Sequence, residues 1–132
     1  MPTIAVAAIG ATKEMLLNDL NTFGFIFESL CEHDLKIYAE YYGGKLFHYR
    51  DDKAKEVDAI TEFQDGTYGA FEIKLGVNQI DKAAEELLSF KRMMEHSGDS
   101  VPKVLCVISG MSNMAYKRED GVIVVPITAL RP

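Results

Sequence analysis

The stretch that decides the fold is Lys55-Glu56-Val57-Asp58-Ala59-Ile60-Thr61-Glu62-Phe63, then Gln64-Asp65-Gly66-Thr67, then Tyr68-Gly69-Ala70-Phe71-Glu72-Ile73-Lys74-Leu75. Two β-rich runs around a turn signal read as a hairpin. Register decides what that hairpin displays. A two-residue turn at Asp65-Gly66 sets Asp58 opposite Ile73, and the acid then points away from Glu72 and Lys74. A three-residue loop, with Gln64 and Asp65 in a type I turn and Gly66 left-handed, pairs Asp58 with Glu72 and Glu56 with Lys74. The second register is preferred because it opposes Val57 to Ile73 and Ala59 to Phe71, so that one face can be buried. The charges then gather on the other face.

Two carboxylates about 5 Å apart at an effective dielectric near 20 repel by roughly 3 kcal/mol, whereas an exposed ion pair returns only about 0–1 kcal/mol. A divalent cation or a raised acid pKa relieves that repulsion. Mg²⁺ suits the pair, since it takes one or two carboxylates together with waters and phosphate oxygens. An ordinary solvated strand face with a Glu56 to Lys74 salt bridge has the same spacing.

Working outward, the rest of the chain alternates helices and strands. Pro2 to Ile9 fits a short helix or a strand, Thr12 can cap a helix over Lys13 to Asp19, and Thr22 can cap a longer one from Phe23 to about Ala39, ended by Gly43-Gly44. Leu46 to Arg50 reads as a strand, and Asp51-Asp52-Lys53 as a turn into the hairpin. Asn78 opens a helix of about seventeen residues with Asp81 placed as the acid of a capping box and Ile80, Ala84, Leu87, Leu88 and Met94 on its apolar face. Ser97-Gly98-Asp99-Ser100 stops it. Val104 to Ile108 and Val122 to Val125 are continuous apolar runs, the pattern of strands buried on both faces. The Ser109 to Asp120 connection is where irregularity is expected. The fold class is α/β, bordering α+β, with a mixed central β-sheet flanked by helices.

At 132 residues, with 48% hydrophobic and 26% charged residues, the chain has the size of one domain spanning 1–132 with a modest core. Cys31 and Cys106 lie in apolar runs without metal-ligand spacing and read as reduced core thiols, as in a cytoplasmic protein. There is no cationic leader with an apolar core and no apolar run of bilayer length, which argues against secretion and against a membrane partner. The net charge of −6 argues against a stand-alone nucleic-acid binder. Binding must come from a local patch or from a further segment. Lys45, His48, Arg50, Lys53 and Lys55 cluster near the hairpin, with Lys45, Arg50 and Lys55 the candidate phosphate contacts, but Asp51, Asp52 and Glu56 are interleaved with them. His33, His48 and His96 read as surface or boundary histidines. Tyr38, Tyr41, Tyr42 and Tyr49 can stack bases or pack on the sheet, and packing is the expectation.

One more carboxylate stands out. In Phe23-Gly24-Phe25-Ile26-Phe27-Glu28-Ser29-Leu30-Cys31, Glu28 is the only ionisable residue besides the cysteine, on a helix apolar nearly all round at that level. Such a carboxylate needs a partner, because burying an unpaired charge is costly.

A helix bearing Glu28, then Val57-Asp58, then Glu72-Ile73-Lys74 on the next strand, then a helix and an apolar strand, resembles the PD-(D/E)XK, or restriction-endonuclease-like, nuclease superfamily. Nearly the whole chain is similar to the C-terminal domain of predicted bacterial and archaeal AAA-type ATPases. The similarity rests on Gly24 to Leu30, Tyr49-Arg50 before Glu56-Val57-Asp58, Ala70-Phe71-Glu72-Ile73-Lys74 and the ending Val125 to Leu130. The resemblance implies a restriction-endonuclease-like core in which Asp58 and Glu72 hold Mg²⁺, or Mn²⁺ in its place, with the main-chain carbonyl of Ile73 as a further ligand. Lys74 would position the attacking water or stabilise the phosphorane charge, and Glu28 would complete the cluster. The implied reaction is phosphodiester hydrolysis of nucleic acid, DNA foremost. A silent nuclease-fold module for nucleic-acid or protein recognition is the alternative. The family motif's proline before the aspartate is Val57 here. No Gly-x-x-x-x-Gly-Lys-Ser/Thr phosphate loop is present, so the ATPase is expected upstream in a longer natural chain of which this is a C-terminal piece. A homo-oligomer is left open.

Overall fold

The computed structural model describes residues 20–50, 56–110 and 114–126. The expectations for Pro2–Ile9, for Thr12 and Lys13–Asp19, for the turn at Asp51–Lys53, for Lys55 and for the chain end after Pro126 lie outside them. Helix α1 (Leu20–Tyr41) is followed by β1 (Lys45–Arg50), β2 (Glu56–Glu62) and β3 (Tyr68–Lys74). A 3-10 turn (Val77–Gln79) then leads into α2 (Ile80–Ser97), β4 (Val104–Ser109), β5 (Tyr116–Lys117) and β6 (Ile123–Pro126). The strands form one sheet in the order β1-β2-β3-β4-β6-β5. β1, β2 and β3 are antiparallel neighbours, β3, β4 and β6 run parallel, and β5 closes the edge antiparallel to β6. This is the mixed, helix-flanked sheet of an α/β fold.

Each helix covers one face. On α2's side Ile80, Ala83, Ala84, Leu87 and Phe90 pack on Val57, Ala70, Leu105, Val107, Val122 and Val124. On α1's side Phe27, Cys31 and Leu35 pack on Ala59, Ile73, Cys106 and Ile108. β4 contributes Leu105 and Val107 to one face and Cys106 and Ile108 to the other, as its uninterrupted apolar run requires. Both cysteines are buried and free, and burial pushes their thiols up, Cys106 to about 12. Among the described residues no helix is long and apolar enough to cross a membrane.

The hairpin has the expected register. Ala59 pairs with Phe71, Ile60 with Ala70, Thr61 with Gly69 and Glu62 with Tyr68. Gly66 N–H donates to the Phe63 carbonyl at 2.9 Å, and Gly66 has φ +85°, so the three-residue loop with a left-handed glycine is the one formed.

Four local expectations are corrected. α1 begins at Leu20, so Thr22 lies inside it rather than capping it. α1, apolar nearly all round at the level of Glu28, is not buried all round: Phe25 is 72% exposed, because one helix over one sheet face buries only the stripe Phe27, Cys31, Leu35 and Ala39. Asp81 is no capping-box acid, since Gln79 Oε1 accepts from Gly76 N–H at 3.2 Å while Asp81 takes the Arg118 guanidinium at 2.5 Å. Tyr49 packs edge-on against Phe90 with ring centroids 4.9 Å apart, whereas Tyr41 and Tyr42 meet each other edge-on at the exposed surface.

Candidate functional site

The site forms at the end of the sheet where the parallel strands have their carboxyl ends, the usual ligand end of such sheets. Lys74 is the last residue of β3, and Glu72 lies two before it on the same face as Ala70. That places Glu72 toward α2 among apolar neighbours, and it is 2% exposed.

Asp58 reaches it through a defect in β2. Phe47 pairs with Ile60 and Tyr49 with Val57, so Asp58 and Ala59 together oppose the single residue His48, a β-bulge. The bulge flips alternation, and Val57 packs under α2 while Ala59 packs under α1. The expectation that both bury on one face is therefore corrected. Phe63 N–H bonds the Thr67 carbonyl, and strict alternation from there would hand the Ile73 N–H to Val57. Instead Asp58 Oδ2 accepts that N–H at 2.8 Å. The ladder stops at Ala59 and Phe71, and Asp58 leans its carboxylate onto β3 beside Glu72.

Electrostatics record the meeting. Burial, then the Asp58 charge, then a hydrogen bond shared with Asp58, push the Glu72 carboxyl up to about 9, against the weaker opposing pull of Lys74. Near neutral pH Glu72 therefore holds its proton and shares it with Asp58. Lys74 Nζ stands 3.8 Å from Glu72 Oε2, a partly buried ion pair when Glu72 ionises. Glu28 on α1 is raised first by burial and then by Asp58 and Glu32, while Lys74 and His48 pull it down. Asp58, Glu72 and Lys74 are thus brought together from β2 and β3, and the charges of Asp58 and Lys74 also act on Glu28 of α1.

Other candidates are placed differently. Glu56 pairs with Arg50 at 2.6 Å and not with Lys74, because the bulge ends the β2 to β3 ladder before Glu56. Arg50 lies two residues beyond His48 near the site, whereas Lys45 sits at the far end of β1 opposite Glu62. Of two further neighbours, Glu32 was not singled out from sequence and His48 was read only as part of the basic cluster and as a surface or boundary histidine. Glu32 lies one turn after Glu28, and His48 bridges Glu32 Oε2 at 3.9 Å and the Asp58 carbonyl at 2.8 Å. The Glu28 to Glu32 spacing was the available signal for the first.

Among the described residues no group of three or more His, Cys, Asp and Glu side chains is arranged to hold a metal ion. The donors present are two carboxylates, one of them buried with its pKa raised by burial and by Asp58, which once ionised fit a hard ion that keeps several waters, such as Mg²⁺ or Mn²⁺, rather than an all-protein cage. Gly110 keeps this end of the sheet closed against α1: a Cβ there would lie 2.9 Å from both Leu75 Cδ1 and the Phe27 ring, one residue before Glu28.

A family model described as Domain of unknown function (DUF4143) matches residues 23–130, a span holding all four of these residues. No curated protein and no solved structure matches the chain.

Proposed function

We propose that this chain, which belongs to the family described as Domain of unknown function (DUF4143), is a Mg²⁺-dependent nuclease domain of PD-(D/E)XK type that cleaves nucleic acid, DNA foremost, beside an AAA-type ATPase in a longer chain. The observation that carries the reading is the bulge at Asp58, which turns an otherwise regular hairpin to bring that carboxylate against buried Glu72. A strand face serving only solubility has no use for a buried carboxyl set beside a second, part-buried one.

Asp58 and Glu72 would hold the ion, with the Ile73 main-chain carbonyl as a further donor. When bound, Mg²⁺ supplies positive charge against the charge that develops on the phosphodiester. Lys74 presents a cationic donor at the rim of the same pair, where it orients the attacking water and stabilises the added charge. Glu28, already biased toward holding a proton, orients Lys74 from the helix side. Among the described residues Arg50, two residues beyond His48, is the candidate contact for a backbone phosphate.

A second reading, a silent module for nucleic-acid or protein recognition, is favoured by the net charge of −6 and by Glu32 beside Glu28, which repel a polyanion. Cleavage assays with Mg²⁺ or Mn²⁺ on duplex and single-stranded DNA and RNA separate the two. The nuclease reading expects cleavage that falls by at least about 100-fold in both Asp58→Ala and Lys74→Ala. Equal traces from wild type and both variants would overturn it.

A further inference from the structure

The β-bulge that aims Asp58 has a keeper. His48 is the single residue opposite the bulge, and its Nδ1 lies 2.8 Å from the Asp58 carbonyl oxygen. A carbonyl can only accept, so Nδ1 carries the proton and donates it. The other ring nitrogen, Nε2, faces Glu32 Oε2 at 3.9 Å. The side chain is 64% exposed and belongs to neither core cluster, so the core does not need it. Its ring nevertheless spans from α1 to the main chain of Asp58.

The consequence follows along the chain of bonds. An extra residue in a strand leaves its peptide groups outside the regular ladder. At this bulge the Asp58 carbonyl is turned toward β1 and taken by the His48 ring, while the Asp58 carboxylate is turned the opposite way, toward β3, and takes the Ile73 N–H at 2.8 Å. The two bonds grip Asp58 from both flanks, and the first sets the peptide plane from which the second is made. Glu32, from one helical turn beyond Glu28, lies 3.9 Å from the far side of the ring.

We propose that His48 is a positioning residue that clamps the Asp58–Ala59 bulge through the Asp58 carbonyl and thereby aims the Asp58 carboxylate at Ile73 and Glu72. For metal binding this rests on the nuclease reading above; the clamp itself does not. His48 touches neither substrate nor ion and contributes through Asp58. The clamp also distinguishes between the two ends of the imidazole. An asparagine amide can reach where Nδ1 stands, and a glutamine amide reaches where Nε2 stands.

The test compares wild type with His48→Ala, His48→Asn and His48→Gln in the full chain, by amide hydrogen exchange at Ile73 and by Mn²⁺ affinity. His48→Ala and His48→Gln should speed exchange at Ile73 by about 10-fold or more while Phe71 and Cys106 keep wild-type protection, and His48→Asn should restore it. Mn²⁺ affinity should fall by about 10-fold in the same two variants and recover in His48→Asn. Ile73 exchange unchanged in His48→Ala, or no difference between His48→Asn and His48→Gln, would overturn the proposal. If Ile73 responds as described but wild type binds no Mn²⁺, the clamp stands and the metal reading fails. If wild type binds Mn²⁺ and every variant matches it at Ile73 and in affinity, the clamp fails and the metal reading stands.

Discussion

Moving from about pH 6 to about pH 8 should tighten Mn²⁺ binding by about 100-fold, because the ion must displace the proton on Glu72. Burial and the Asp58 charge push that carboxyl up to about 9. Near pH 7, two units below, only about one molecule in 100 carries Glu72 ionised. Removing the proton at that pH costs roughly 3 kcal/mol, and the cost falls by about 1.4 kcal/mol for each further unit. Apparent affinity therefore climbs about 10-fold per unit and levels off as the pH passes the Glu72 value. Calorimetric titration in two buffers of different ionisation heat counts the protons directly, with about one released per ion near pH 7. Affinity that stays flat across this range, with no proton released, would refute Glu72 as a ligand.

Two further predictions concern stability. Glu72 has a folded value above its unfolded value of 4.5, so its contribution is complete below that value and is lost as the pH rises toward about 9. Thermal scans in chelator should show wild type losing stability over that window and Glu72→Gln losing less, since Glu28 and Glu32, raised in the same direction, remain; identical pH profiles would contradict this. Gly110→Ala forces a methyl against Phe27 and Leu75 at 2.9 Å and should cost about 1–3 kcal/mol in urea unfolding, a cost near zero showing that α1 gives way freely.

The hairpin register was legible because burial and turn chemistry agreed: Gly66 accepts the left-handed conformation, and Ala59 facing Phe71 is apolar on apolar. Glu28 was legible as a carboxylate in an apolar run. The bulge was not, since an extra residue in β2 leaves Glu56-Val57-Asp58-Ala59 looking like unbroken alternation, and only the pairing of Tyr49 with Val57 exposes it. For the same reason the Glu56 to Lys74 pairing failed, and the role of His48 could not be read before its partner strand was placed. β5, two residues long, carries too little pattern to be seen. Arg118 shows a similar limit, joining Asp81 and Asp120 across 37 and 2 residues of sequence by contacts that only the folded chain creates.

The central claim is that Asp58 and Glu72 form one cation site at the bulge, and paramagnetic broadening by Mn²⁺ of the backbone amide spectrum tests it most directly. Broadening should centre on Asp58, Glu72 and Ile73, reach Lys74 and Glu28 next, and vanish in Asp58→Ala at the same ion concentration. Broadening centred instead on the exposed acids Glu85, Asp99 or Glu119, or unchanged in Asp58→Ala, would contradict it.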